Sequence, residues 1–301
     1  MILRASRSRF LAEQFRRRAF ARRAVRRFMP GEDVSAALEA SVEFTKLGIG
    51  TVLTNLGERV TTRAEATGVR DHYLGVLNAV RERGLPAQIS VKLTHLGLNV
   101  DQTHCADHVL ALAEHASVDG STVWLDMEES QYTDATLTIF RQVRERHSNI
   151  GVCLQAYLRR TAADLAALMP LDPAIRLVKG AYNEPREIAF SEKRDVDENF
   201  FSIATQLLSL AGDRQVVPVF GTHDMGLIGR IRHHAGTAGI PRSNYEFHML
   251  YGIRSNEQRS LALDGCTVSV LISYGTAWFP WYMRRLAERP ANVWFVVRNL
   301  F

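Results

Sequence analysis

The chain has 301 residues, 46% hydrophobic and 23% charged, which are the proportions of a globular protein with a full core. Collagen-like, mucin-like and disordered classes are excluded by composition, and no apolar run approaches the roughly 20 residues that a spanning helix needs. The net charge of +5 is unevenly spread: residues 1–30 hold ten Arg against one acid, Glu13, and carry +9, which leaves −4 on residues 31–301. A mildly acidic body lacks the basic face of a nucleic-acid-binding domain, so no nucleic acid is expected. Cys105, Cys153 and Cys266 lie far apart with no Cys-x-x-Cys, which reads as reduced thiols in the cytoplasm.

The Arg-rich arm, residues 1–28, interleaves Phe10, Leu11, Phe15, Phe20, Val25 and Phe28 at roughly helical spacing. Such a helix either packs its Phe stripe on the domain or lies on an anionic surface such as a membrane. A transit peptide would share the composition, but here the pattern runs straight into Met29-Pro30-Gly31. Beyond the arm, strands are predicted over 50–53, 88–94, 122–126, 151–157, 175–179, 216–221, 245–248 and 267–273. Amphipathic helical segments separate them, among them 70–83, 103–115, 134–146 and 198–210. That alternation implies parallel strands with crossover helices. Eight units over residues 29–301 match an α/β fold of the (β/α)8 TIM-like barrel type, with a final helix capping the C-terminal face. An open doubly wound sheet is the alternative architecture.

In a barrel, chemistry gathers at the C-terminal ends of the strands. Those ends carry Lys92, then Asp126 with Glu128 and Glu129, then Gln155 with Tyr157, then Lys179 and Tyr182. Thr222 and His223 follow strand six, and Leu250 and Tyr251 follow strand seven. Singly, each has a plain structural role: Lys92 can snorkel, and Asp126, Thr222 or Asp224 can cap a helix. Their shared face is what points to a site. No GxGxxG follows a strand, and P-loop, GxSxG and His-Glu-x-x-His patterns are absent, so Rossmann, hydrolase and metal-site readings lack support. Near the C-terminus, aromatics from Tyr274 to Tyr282 lead into Arg284, Arg285 and, one turn on, Glu288. Arg-Arg-x-x-Glu also suits a solvated helix face. Beside so many aromatics, two guanidinium forks gripping a carboxylate is the functional alternative.

Several of these segments together resemble the proline dehydrogenases, the flavin-dependent barrel enzymes of proline catabolism, in their single-function bacterial form. The matching segments are Ser90-Val-Lys-Leu-Thr, Trp124-Leu-Asp-Met-Glu, Leu154-Gln-Ala-Tyr-Leu-Arg-Arg-Thr and Arg176-Leu-Val-Lys-Gly-Ala-Tyr. Gly221-Thr-His-Asp, Tyr245-Glu-Phe-His-Met-Leu-Tyr-Gly and Tyr282-Met-Arg-Arg-Leu-Ala-Glu-Arg-Pro complete the series in family order.

The resemblance implies that FAD is the cofactor and that proline, or a close cyclic imino acid, loses hydride to it. A quinone would then take the electrons, and the basic arm would dock at the anionic inner face of the cell membrane. Lys92, Arg284 and Arg285 would clamp the substrate carboxylate, with Glu288 bracing the Arg pair and Asp126 as the acid beside the clamp. Arg176 would lie over the reactive edge of the flavin, which Met127, Gln155, Lys179, Gly180, Ala181, Thr222 and His223 would contact. Tyr182 and Leu250 would wall the pocket.

Two positions depart from the family pattern. Leu271 stands where a substrate-contacting Tyr is common, and Thr54-Asn55 precedes Leu56-Gly57-Glu58 where an Asp is frequent. Both changes remove polar groups from the substrate side and leave room for 4-hydroxyproline or N-methylproline. The competing classes are a non-catalytic barrel whose arm binds nucleic acid, and a barrel lyase or isomerase acting on a phosphate ester.

Overall fold

The computed structural model describes residues 25–211, 217–279 and 282–283. Most of the arm, and the expected clamp residues Arg284, Arg285 and Glu288, lie outside the described residues, as does most of the expected capping helix. Where the arm meets the barrel, Val25 and Met29 are buried and the Phe28 ring faces Tyr282 at 6.2 Å.

Eight parallel strands close in chain order: β1 Gly50–Asn55, β2 Ala87–Val91, β3 Val123–Leu125, β4 Ile150–Gln155, β5 Ala174–Val178, β6 Pro218–Gly221, β7 Glu246–Leu250 and β8 Thr267–Tyr274. Pairing of β8 with β1 completes the ring, so the open-sheet alternative is excluded. Helix α1 (Val34–Thr45) precedes β1. After the next strands come α2 (Arg63–Glu82), α3 (Gln102–Ser117), α4 (Thr133–Arg144) and α5 (Thr161–Leu168). The series continues with α6 (Lys193–Leu210), α7 (Met225–Thr237) and α8 (Ser255–Leu263). Among the described residues, no helix is long and apolar enough to cross a membrane.

Two predicted strands end two or three residues early, and the difference shapes the site. Strand two stops at Val91 because His95 and Leu96 donate back to the Lys92 carbonyl, turning the chain over the barrel mouth. Strand four stops at Gln155, and Tyr157 N–H then reaches the Lys179 carbonyl at 2.8 Å. Helix α2 starts seven residues before the predicted 70–83, at a Thr62–Glu65 capping box in which each side chain meets the other's backbone N–H.

Residues alternate between two cores, as strand geometry requires. Outward side chains meet the helices in one large cluster, while Val52, Trp124 and Val219 fill the barrel interior with Leu271 and Ala174 packed on them. Trp124 has room only because β4 offers Gly151 beneath it: a Cβ there would stand 2.5 Å from the indole. Its Nε1 donates to Gln88 Oε1 at 2.5 Å. Deeper still, Glu246 accepts from the Ser269 hydroxyl and faces His248 Nε2 at 3.1 Å.

One buried carboxyl ties together two loops at the C-terminal face of the barrel. Glu128 Oε1 accepts from Thr94 N–H at 3.0 Å, and Oε2 from Thr94 Oγ1 at 2.6 Å. Burial pushes this carboxyl up to about 7, against the opposing pull of those Thr94 bonds. A raised carboxyl favours the fold below its ordinary titration range and loses that contribution as pH rises through about 7. Glu128→Gln keeps the shape and has no proton to lose. It should therefore gain on the wild type by about 1–3 kcal/mol between pH 5 and 8, measured by urea unfolding. An equal difference at both pH values would show that the carboxyl does not titrate there.

Candidate active site

A cavity of about 530 Å³ opens at the C-terminal mouth of the barrel, a size typical of small-molecule sites. The structure brings thirteen expected site residues to its wall: Lys92, Asp126, Met127, Gln155, Arg176, Lys179, Gly180, Ala181, Tyr182, Thr222, His223, Leu250 and Leu271. Two acids flagged beside Asp126 serve elsewhere, Glu128 as the loop tie above and Glu129 in an ion pair with Arg59. Tyr157 lies under the wall, against Gly180.

Asp126 is the hub. Its Oδ2 accepts from Lys92 Nζ at 2.8 Å, and its Oδ1 accepts from Ser90 Oγ at 2.7 Å and Arg176 Nη2 at 2.5 Å. The three charged side chains are 13%, 18% and 4% exposed for Lys92, Asp126 and Arg176, so water screens them little. Burial alone would raise the Asp126 carboxyl, but Lys92, Arg176 and Ser90 together hold it down at about 2. Lys92 is held above its ordinary value: Asp126 and neighbouring anionic groups outweigh the burial that would lower it. Both partners are therefore charged throughout the neutral range.

Arg176 is fixed from three sides. Nη2 also reaches Ser90 Oγ at 2.7 Å, Nε lies 2.8 Å from Cys153 Sγ, and the guanidinium sits 5.0 Å over the Trp124 ring. Burial pushes the Cys153 thiol up, with Arg176 pulling the other way. Its remaining nitrogen, Nη1, is buried without a hydrogen-bond partner among the described residues. Ser90 and Cys153 escaped the sequence reading because a small residue inside a strand carries no local signal of chemistry. Their place two residues before Lys92 and Gln155, on the same face of each strand, was the usable clue.

The opposite arc of the wall, β4 to β6, is built differently. Gln155 Nε2 donates to the Met127 carbonyl at 3.2 Å, while its buried Oε1 has no partner among the described residues. Gly180 has φ +112°, and a Cβ there would collide with the Tyr157 ring at 2.1 Å, so the bare backbone is obligatory. Lys179 bridges Asp197 at 2.5 Å and Asp224 at 2.8 Å; these bonds hold the Asp224 carboxyl down at about 2. Asp224 also caps α7 by accepting from Gly226 and Leu227 N–H groups, and His223 Nε2 accepts from Leu250 N–H at 2.7 Å. An unpaired carbonyl on Gln155 and an unpaired N–H on Arg176 fit a planar heterocycle with both donor and acceptor edges, as a flavin has.

The profile of the proline dehydrogenase family, described as "Proline dehydrogenase", matches residues 37–298. The chain is 36% identical over 275 residues to Proline dehydrogenase 1 of Bacillus subtilis (strain 168), covering 91% of this chain and 90% of that protein. It is 34% identical over 282 residues to a proline dehydrogenase of Deinococcus radiodurans, covering 91% and 89%. Among solved structures, proline utilization A from Bdellovibrio bacteriovorus, inactivated by N-propargylglycine, superposes with a TM-score of 0.83 at 22% identity. That match spans 89% of this chain and a third, 33%, of the longer protein, and it bears on the fold. With a barrel closed by β8 on β1, a charged hub at its mouth and a family profile running through nearly all of it, the chain belongs to the proline dehydrogenase family.

Proposed function

We propose that the protein oxidises L-proline or a close cyclic imino acid, proline itself giving 1-pyrroline-5-carboxylate, with FAD as hydride acceptor and a quinone as the final electron acceptor. The observation that carries this reading is the Lys92–Asp126–Arg176 array facing a cavity whose other wall suits a flavin. Lys92 binds the substrate carboxylate together with Arg284 and Arg285, which Glu288 braces. Each such charge-assisted bond contributes about 1.5–3 kcal/mol. Asp126 keeps the Lys92 ammonium and the Arg176 guanidinium at fixed positions, so the substrate ring is oriented rather than merely held.

Met127, Gln155, Lys179, Gly180, Ala181, Thr222 and His223 would hold the flavin, with Tyr182 and Leu250 closing the pocket. When bound, the flavin supplies the two-electron acceptor for the C–H bond next to the ring nitrogen. Arg176, buried and permanently charged, would favour negative charge on a flavin held beside it. The arm supports a peripheral position at the inner membrane face, close to quinone, through its ten Arg and its Phe stripe.

The purified protein should be yellow, bleach on adding proline without oxygen, and recover its colour with a soluble quinone. A colourless protein that proline leaves unchanged would refute the reading. Arg284→Met and Arg285→Met should each raise KM for proline by orders of magnitude while flavin content stays at the wild-type level; a wild-type KM in both variants would remove the pair from the clamp. Deleting residues 1–27 should leave turnover with a soluble dye largely intact and abolish salt-sensitive binding to anionic vesicles. Loss of folding on deletion would place the Phe stripe in the core instead.

A further inference from the structure

The loop that carries Tyr182 to the cavity is fastened at both ends to one part of the barrel mouth and in its middle to another. Residues 179–192 connect β5 to α6. At one end Tyr157 N–H reaches the Lys179 carbonyl, and the Tyr157 ring packs flush on Gly180. At the other, Leu158 pairs with Ala189, Phe190 N–H donates to the Tyr157 carbonyl at 2.8 Å, and the Arg159 guanidinium lies 4.5 Å from the centre of the Phe190 ring. All of these hold the loop to the turn after β4. The middle turns to β3 instead. Glu184 Oε1 accepts from Ser130 N–H and Oε2 from Ser130 Oγ, both at 2.7 Å. Ser130 opens the short 3₁₀ turn Ser130–Tyr132 that leads into α4, and Glu129 before it gives that turn no side-chain cap. The Glu184 carboxylate supplies one from the neighbouring loop, with its charge at the favourable end.

Both sides of this latch lead to the cavity wall. Tyr182 stands two residues before Glu184, and Asp126 and Met127 stand four and three residues before Ser130. The Tyr182 phenol lies close enough to Lys92 to act on its ammonium charge, so the loop brings a side chain from the end of β5 towards the hub. Glu184 itself does not line the cavity. We propose that Glu184 is a positioning residue for substrate binding: its two bonds to Ser130 hold Tyr182 in place beside Lys92 and Asp126, and so set how tightly a cyclic imino acid is gripped. The proposal rests on the imino-acid oxidation argued above. A group misplaced by about 1 Å can cost roughly a hundredfold in a site of this kind. Gly180 sits at the end of the loop that Tyr157 holds, so the flavin-suited wall keeps an anchor of its own.

The test uses the flavin-loaded protein, with proline as substrate and, as unreactive ligand, the five-membered cyclic carboxylate in which oxygen replaces the ring nitrogen. Glu184→Ala should weaken calorimetric binding of that ligand and raise KM for proline, each by roughly tenfold or more, while kcat, flavin content and Tm stay near the wild-type values. Glu184→Gln keeps an acceptor and loses the charge, so it should fall between the two. Ser130→Ala removes the hydroxyl bond alone and should reproduce part of the loss. In a Tyr182→Ala background, Glu184→Ala should add nothing, because the side chain it positions is gone. Wild-type affinity and KM in Glu184→Ala overturn the proposal, and so does full additivity with Tyr182→Ala. A loss that tracks Tm or flavin content overturns it too, since Glu184 would then be structural. Should Glu184→Ala fail to fold, Glu184→Gln and Ser130→Ala decide by the same measurements. If the wild type neither binds the ligand nor is reduced by proline, the imino-acid reading fails and the latch fails with it; binding and reduction that the Glu184 variants leave untouched refute the latch alone.

Discussion

A carboxylate buried between two cations governs the architecture of the barrel mouth. Asp126 joins the ends of β2, β3 and β5 through Lys92, Ser90 and Arg176, so three strands are locked in register by charge as well as by backbone bonds. Removing one partner of such an array costs about 3–5 kcal/mol, because the survivors stay buried and uncompensated. Within the bonded trio, two positive charges face one negative charge. Glu246 offsets part of that excess from the Arg176 side and Glu58 from the Lys92 side. In the proposed function, a carboxylate substrate would meet what remains at the Lys92 end, and negative charge on an electron acceptor would meet it at the Arg176 end.

The rest of the interior allows a desolvated guanidinium to persist there. Trp124 plugs the barrel beneath Arg176 and turns its ring face to the cation, and Gly151 supplies the space that the indole occupies. Below it, Glu246 stays ionised: burial would raise its carboxyl, but His248, Ser269 and Arg176 hold it below the ordinary range. Burial holds His248 below its own ordinary value, against the opposing pull of Glu246. The barrel axis is thus a column of alternating charge and aromatic surface, closed underneath, and the cavity opens on the C-terminal face.

Much of this was legible in the chain. Short β-branched runs punctuated by Gly and polar residues located all eight strands, and their ends exposed Lys92, Asp126, Gln155, Lys179 and His223, since side chains that close a barrel strand point into the mouth. Periodicity could not show where a strand stops. Leu93 and Thr94 are apolar and β-branched, yet they belong to a turn, Leu93 buried and Thr94 bound to Glu128. The start of α2 was written in Thr62 and Glu65, but the buried face opens on the small Ala66 and its first large buried residue is Tyr73, so the hydrophobic pattern drew the boundary inward. Ser90 and Cys153 gained their roles only from strands two and four being folded beside Arg176, a long-range fact that local sequence does not carry. Thr54 was visible as a departure from a family pattern, while Ser273, its partner across the closing seam, was not.

The order of the strands separates the tasks. Around an eight-stranded ring, β1 stands opposite β5, so the β8–β1 seam faces the β4–β6 arc across the cavity. The charged hub spans β2, β3 and β5, the flavin-suited wall spans β4 to β6, and Leu271, Ser273, Val52 and Thr54 hold the seam with no side-chain hydrogen bond to Lys92, Asp126, Arg176 or Gln155 among the described residues. A substitution on the seam would therefore leave the side-chain bonds of Asp126 in place. A change at Lys92 or Arg176, in contrast, would shift the charge balance on which both halves depend. This division lets the side chains at the junction of the first and last strands change while the charge array stays constant.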